Sequence, residues 1–297
     1  MGLNPSAAGE SPAVMRHHAP LPTLALPQAG GGRGVLGFCP GGDPLPSVLA
    51  HTLETRIIPR LALAHRAPTR GAAGAVPTAD EVEELTALVM QADVAASLEL
   101  VARLRAREVP LAAILLDLLA PVARRLGELW LADACDFSTV TIGVCCLQQV
   151  VMQQRDDAAA RAAAPQAERR VLLAPLPGEQ HGFGLLLVGE FFRRQGWEVC
   201  GASGASAREL TAMVRRQYFG IVGLSLADED RTGDLATLIH DIRRSSRNRR
   251  LGVMVGGQCF TDRPELSALV GADATASDAQ QAVLTAETLL AMLLQDP

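Results

Sequence analysis

Apolar residues recur along this chain with two different periods, and the change of period divides it. From about residue 48 to about 156 the spacing is helical, with apolar side chains three and four positions apart. VLAHTLETRIIPRLALAHR (48–66) has this spacing and is broken by Pro59. Further helices are predicted over 79–88, 91–107, 110–130 and 136–156. Thr78-Ala-Asp80-Glu81 opens the first of these, with acids in the first turn, where the helix dipole favours them. Pro110 opens the third, at a position that needs no N–H donor. LAAILLDLLAPVARRLGELW is apolar around more than one face, which suits a helix inside a bundle. Pro121 should kink that helix or split it in two.

The period changes after RDDAAARAAAPQAERR (155–170), which reads as a linker. Short apolar runs follow at VLLAP (171–175), WEVCG (197–201), GIVGLSLA (220–227), LGVMVGG (251–257) and DATAS (273–277). Between and after them lie helical stretches at 184–196, 207–218, 233–244, 264–272 and 278–294. Five short strands alternating with helices predict an α/β fold with a doubly wound parallel sheet. Helices on both faces explain why the strands lack a clean alternation of apolar and polar residues. The expected plan is a disordered Pro/Gly-rich arm (1–46), an all-α bundle (47–156), a linker (157–169) and a Rossmann-like domain (170–297).

Composition narrows the function classes. The 297 residues are 48% apolar and 20% charged, enough for a substantial core, with only 3% aromatic residues. A net charge of -5 argues against an electrostatic clamp for nucleic acid. The one strong basic run is Arg243-Arg-Ser-Ser-Arg-Asn-Arg-Arg250; a solvated helix end accounts for it, and a partner or nucleic-acid patch is the alternative. The six cysteines form no CxxC and read as reduced thiols rather than a disulfide framework. His17-His18 falls in the arm, where a metal site is not expected. No secretory signal and no apolar stretch long enough to span a bilayer are found, so a cytoplasmic protein is expected.

Candidate chemistry concentrates at the ends of the predicted strands, where such sheets bind ligands. Three segments fall there: Glu179-Gln180-His181-Gly182-Phe183-Gly184 after the first strand, Gly223-Leu-Ser225-Leu226-Ala at the third, and Gly256-Gly257 at the fourth. The first is a phosphate-binding turn, a catalytic turn or the mount of a metal ligand. Its glycines do not fit G-x-G-x-x-G, and no ribose-binding acid ends the second strand, which disfavours a dinucleotide. Clustered acids for a receiver or simple phosphate site are also missing near the first strand. Glu179 is close enough in sequence to orient the ring of His181, and the small residues at 182, 184, 256 and 257 would admit a large flat ligand to the backbone.

These residues carry a resemblance. Glu179-x-His181-x-x-Gly184 resembles the Asp-x-His-x-x-Gly signature of cobalamin-binding domains. Gly-Leu-Ser225, Gly256-Gly257 and GADATASDAQQAV (271–283) are similar to that family's later elements, in the same order and spacing over about residues 168–295. The resemblance implies a flavodoxin-like, B12-binding sheet. It implies His181 as lower axial cobalt ligand with Glu179 as its hydrogen-bonded partner. It places Ser225 and Leu226 against the buried dimethylbenzimidazole tail, with Gly256 and Gly257 lining its path. Glu179 replaces the usual aspartate, and Ala227 stands where the usual Ser-x-Leu motif has leucine.

The helical half agrees. Leu126-Gly-Glu-Leu-Trp130 resembles the segment that places a tryptophan over the upper ligand in adenosylcobalamin-dependent photoreceptor repressors. Where those proteins have a Glu-His pair on the next helix, this chain has Val140 and Thr141, so no upper histidine is expected there. A mutase would need a large substrate barrel, and a DNA-reading photoreceptor a basic recognition helix; neither is evident. From about residue 48 onward, TRIIPRLALAHR, LGELWLADACDFSTVTIGVCCLQQVV and GEQHGFG are similar to the aerobic antirepressor family (AerR/PpaA) of photosynthesis-gene regulation in purple bacteria. That resemblance implies a non-enzymatic protein that binds adenosyl- or hydroxocobalamin and contacts a redox-responsive repressor, without a strong case for direct nucleic-acid binding. A corrinoid methyl carrier and a related haem-binding redox sensor are the alternatives, since imidazole suits iron as well as cobalt.

Overall fold

A computed structural model describes residues 76–155, 167–179 and 182–295. The expected arm, the helix over 48–66, His17-His18, most of the linker, Gln180 and His181 lie outside the described residues.

Helix α1 (Ala79–Met90) starts with a reciprocal capping box. Thr78 Oγ1 accepts from Glu81 N at 3.3 Å, and Thr78 N donates to the Glu81 carboxylate at 2.7 Å. Asp93 caps α2 (Val94–Ala106) by accepting from Ala96 N. The next helical run begins at Leu111–Ala113, widens into a π-helical stretch at Ile114–Leu119 and continues as α3 (Ala120–Leu131). The run is continuous through Pro121, so the split that was one of the two expected outcomes there does not occur. The N–H of Ala120 reaches five residues back to Leu115 O, so the wide turn falls where the proline removes a donor, and helical turns continue through it. Helix α4 (Phe137–Gln153) is capped by Asp136, whose carboxylate accepts from Thr139 N at 2.7 Å. A Cβ on Gly143 would lie 2.9 Å from Leu126 Cδ1, so the glycine lets α3 and α4 pack closely.

The second half follows β1 (Arg170–Pro175), α5 (Phe183–Arg194), β2 (Glu198–Gly201), α6 (Ala207–Arg216), β3 (Ile221–Ser225), α7 (Thr232–Ser245), β4 (Gly252–Gly256), the short α8 (Gln258–Asp262) and α9 (Leu266–Leu269), β5 (Ala274–Thr275) and α10 (Ala279–Gln295). The strands pair in parallel in the order β2-β1-β3-β4-β5. The sequence pattern missed α8 and made α9 too long; Pro264 and Gly271 bracket the latter.

Alternate strand residues feed two cores. Val171, Leu173, Ile221 and Met254 join α5, α10 and the bundle in one continuous apolar cluster. Leu172, Ala174, Val222, Leu224, Val253 and Val255 pack against Leu210, Val214, Leu235 and Ile239 on the other face. Burial on both faces is what erased the alternation in the sequence. The bundle is further tied to α5 at its end. Arg194 Nη2 donates to Gln154 O at 3.2 Å, and the buried Glu190 carboxylate faces Arg155, Arg193 and Arg194.

Candidate functional site

The chain leaves β1 toward β2 and leaves β3 toward β4, in opposite directions along the sheet. The crevice for a ligand in such a sheet opens between those two strands, at their carboxyl ends. Pro175, Ser225 and Gly256 stand in one register row there. The ladder runs one step further, with Leu176 N donating to Ser225 O at 2.9 Å and Leu226 N to Gly256 O at 3.0 Å. Three segments far apart in sequence therefore meet at one edge.

The loop after β1 is held from two sides. Leu176-Pro177-Gly178-Glu179 closes with Glu179 N donating to Leu176 O at 2.8 Å, and Gly178 has φ +85°. Proline followed by a positive-φ glycine is the type II pattern, whose central carbonyl faces away from the turn. That carbonyl, Pro177 O, accepts from Arg231 Nη2 at 2.8 Å, while Asp234 holds Arg231 Nε at 3.2 Å. The Glu179 carboxylate accepts from Ala227 N at 3.2 Å. Both Arg231 and Ala227 belong to the β3–α7 connection, so that connection sets the position of the turn that leads into residues 180–182.

The residues at this edge pass a test for a ligand of the expected kind. Among the described residues, Ser225 Oγ is buried without a hydrogen-bond partner, which is unfavourable unless something else supplies one. The glycines separate into two types. A Cβ on Gly257 would lie 2.2 Å from Leu226 O at φ +107°, so the fold itself requires glycine there. A Cβ on Gly256 would come no closer than 3.7 Å to Ala276 O, Gly182 would meet only Ser203 Oγ at 3.9 Å, and Gly184 would meet nothing within 4 Å. Packing among the described residues does not explain why these three are bare; a large ligand lying against them does. Leu226 is different again. Its main chain continues the ladder, but its side chain is fully buried in the core on the opposite face from Ser225. Phe183 opens α5 and packs half-buried on the other core.

The residues expected over the upper ligand form a second group. Trp130, in the last turn of α3, is 47% exposed, and Phe137, first in α4, is 63% exposed. Their rings meet edge to face, with centroids 6.5 Å apart. Thr141 Oγ1 donates to Phe137 O at 2.8 Å, and Val140 packs half-buried against the core. Phe137 was visible in the sequence only as part of a motif; its pairing with Trp130 follows from the short turn between the end of α3 and the Asp136-capped start of α4. Arg231 carried no sequence signal, because its partner is a main-chain oxygen 54 residues away. Burial pushes the thiols of Cys146, Cys200 and Cys259 above the ordinary range, so these three stay protonated and are poor metal ligands at neutral pH.

Residues 169–284 match the B12 binding domain family. A relative in Rhodobacter capsulatus, an uncharacterized 20.5 kDa protein in the bchF-crtJ intergenic region, is 27% identical over 174 residues, covering 59% of this chain and 90% of the relative. The monomethylamine corrinoid protein of Methanosarcina barkeri superposes with a TM-score of 0.55 at 15% identity, over 71% of this chain and 98% of that one; this likeness concerns the fold. Among the described residues, no helix is long and apolar enough to cross a membrane.

Proposed function

We propose that this protein is a non-enzymatic, cobalamin-dependent antirepressor that acts by protein contact with a redox-responsive repressor of photosynthesis genes. The observation that carries the cofactor half is the unpartnered, buried Ser225 Oγ beside bare Gly256 at the β1/β3 crevice. The regulatory half is supported by the Rhodobacter capsulatus relative, whose gene region is one of photosynthesis genes.

In this reading His181, two positions after Glu179 in the sequence, would bind the cobalt. The Glu179 carboxylate, fixed by Ala227 N–H, keeps the loop in register and favours a donating imidazole N–H. Ser225 supplies a hydroxyl to the buried tail, and Gly256 leaves its path clear. Bound cobalamin would supply a cobalt centre that responds to light or to ligand identity. Trp130 and Phe137 would cover the cofactor as an apolar lid, and a shift of that lid would alter the surface that the bundle offers to the repressor. The localisation is cytoplasmic in this reading.

The test is reconstitution of purified protein with hydroxo- and adenosylcobalamin in the dark, followed by illumination. A visible spectrum with imidazole bound to cobalt, lost in His181→Ala, supports the reading. Stoichiometric retention with the same spectrum in His181→Ala overturns the ligand assignment. A haem spectrum in freshly purified protein would replace cobalamin with the related sensor chemistry. The likeness in fold to a monomethylamine corrinoid protein is compatible with one second reading, a methyl carrier. Methyl transfer to a separate methyltransferase, with no effect on any repressor, would decide for it.

A further inference from the structure

The basic run of the sequence does not behave as a simple helix end. Arg243 is built into the fold: its guanidinium donates to Leu251 O, Gly271 O and the Asp273 carboxylate. Beyond it, buried and exposed residues alternate. Ser246 and Asn248 are 4% and 7% exposed, while Arg247, Arg249 and Arg250 face solvent. The buried pair pins the loop. Ser246 Oγ accepts from Asn248 N at 3.0 Å, Asn248 Oδ1 accepts from Arg250 N at 2.9 Å, and Asn248 Nδ2 donates to Phe219 O at 2.9 Å. Arg247 N donates to Val214 O at 2.9 Å, which fastens the loop to the end of α6. Arg215 and Arg216, exposed in the last turn of α6, and Arg244, exposed in the last turn of α7, share this edge of the sheet.

Arginines in the last turn of a helix are explained by the helix dipole. That accounts for Arg215, Arg216 and Arg244. It does not account for Arg247, Arg249 and Arg250, which lie beyond the helix on a loop held rigid by its own buried side chains. Among the described residues none of these six guanidinium groups makes an ion pair. Two helix C-termini contribute about half a negative charge each. Asp241 lies one turn before the loop, and Glu168 acts on Tyr218 together with Arg250. About three positive charges remain in excess, on a chain whose net charge is -5.

We propose that this edge, opposite the cofactor crevice, binds the phosphate backbone of duplex nucleic acid without reading its sequence. Large exposed apolar side chains are found at Trp130, Leu131, Phe137, Ile142, Leu269 and elsewhere, but none between residues 206 and 251. Protein interfaces are usually anchored by buried aromatic or apolar groups, whereas phosphate contact needs only placed charge. A pre-formed loop also lowers the ordering cost of binding. The surface is independent of the cofactor assignment and lies at the other end of the strands, so both ligands fit at once.

The test is fluorescence anisotropy of the full chain with a labelled 30-base-pair duplex of arbitrary sequence. For four to six phosphate contacts, affinity should fall roughly 100- to 1,000-fold between 50 and 200 mM salt. Arg247→Glu/Arg249→Glu/Arg250→Glu should reduce the salt slope by about three, with unchanged melting temperature and cobalamin uptake. The milder Arg249→Ala should reduce it by about one. Arg105→Glu, on an exposed bundle position, should leave binding as in wild type. No binding by wild type at 50 mM salt, or equal binding by the triple variant, overturns the proposal. Competition by polyglutamate as effective per charge as DNA also overturns it, because the edge would then be a surface for an acidic protein.

Discussion

The carboxylate of Glu179 accepts the main-chain N–H of Ala227, joining the loop after β1 to the loop after β3 across the crevice. A main-chain amide can only donate, so this contact holds the carboxylate as an acceptor. The extra methylene of glutamate, relative to the aspartate of the family signature, is what lets the side chain span that gap. Glu179→Asp should therefore lose the Ala227 contact and weaken cobalamin binding about tenfold, and Glu179→Ala up to about a hundredfold. Equilibrium dialysis with hydroxocobalamin measures both; equal affinity in Glu179→Ala would remove Glu179 from the site.

Arg231 should matter through position alone. Its guanidinium is partly exposed and Pro177 O lies near solvent, so Arg231→Ala should lower apo-protein stability by less than about 1 kcal/mol. Without the clamp the type II turn samples other orientations, and dissociation of bound cobalamin should speed up several-fold. Arg231→Lys keeps one donor and should fall between. A melting temperature that drops in parallel with affinity would mark Arg231 as a general stability residue instead.

Gly256 and Gly257 should respond in opposite ways. Alanine at 257 would place its Cβ against Leu226 O in a left-handed backbone, so Gly257→Ala should destabilise by more than about 3 kcal/mol or prevent folding. Alanine at 256 meets no protein atom closer than 3.7 Å, so Gly256→Ala should melt at the wild-type temperature or slightly above. Its cobalamin affinity should nevertheless fall at least tenfold. Thermal melting of apo-protein, paired with cofactor titration, separates the two glycines; unchanged affinity in Gly256→Ala would show that no ligand approaches there.

That contrast shows where the sequence was readable. The doubly wound sheet was legible from the run lengths of VLLAP and LGVMVGG and the helices between them, because strand and helix periods are local properties. The convergence of Glu179, Ser225 and Gly256 was legible because topology fixes which strand ends meet. The two glycine roles looked identical in sequence, since only backbone angle and neighbouring atoms distinguish them. Leu226 read as a site residue through the family resemblance at its neighbour Ser225; its side chain belongs to the far core. The π-helical turn before Pro121 depends on which carbonyl accepts the N–H of Ala120 beside a residue that has no donor, and composition does not reveal that.

The Glu190 cluster should hold the bundle to the sheet domain. Glu190 is 3% exposed and faces Arg194 Nε at 3.1 Å and Arg155 Nε at 3.4 Å, with Arg193 Nη1 further off at 3.8 Å. Burial also depresses the Arg193 pKa, a sign that the site is short of solvent. Glu190→Ala leaves three guanidinium groups facing one another and should cost about 2–3 kcal/mol, the lower range because the arginines are partly exposed. Urea unfolding measures it. A double-mutant cycle with Arg155→Ala should give a coupling of about 1 kcal/mol; additivity would mean that α4 and α5 are held by their apolar contact alone.

Acid should loosen the aromatic lid before it unfolds the core. The Thr139 N–H holds the Asp136 carboxyl below its ordinary pKa of 3.8, and that bond caps the helix that Phe137 begins. A depressed carboxyl contributes stability that is present above its unfolded pKa and lost as pH falls through the folded value, so the step belongs below about pH 4. Protonation then removes the cap, Phe137 frays from α4, and its edge contact with Trp130 opens. Trp130 emission should shift to longer wavelength in that range, read as the difference between wild type and Trp130→Phe so that buried Trp197 cancels. Asp136→Asn keeps a capping side chain that does not titrate, and should abolish the step while leaving neutral-pH emission unchanged. An identical acid transition in Asp136→Asn would assign it to another carboxylate and detach the lid from its cap.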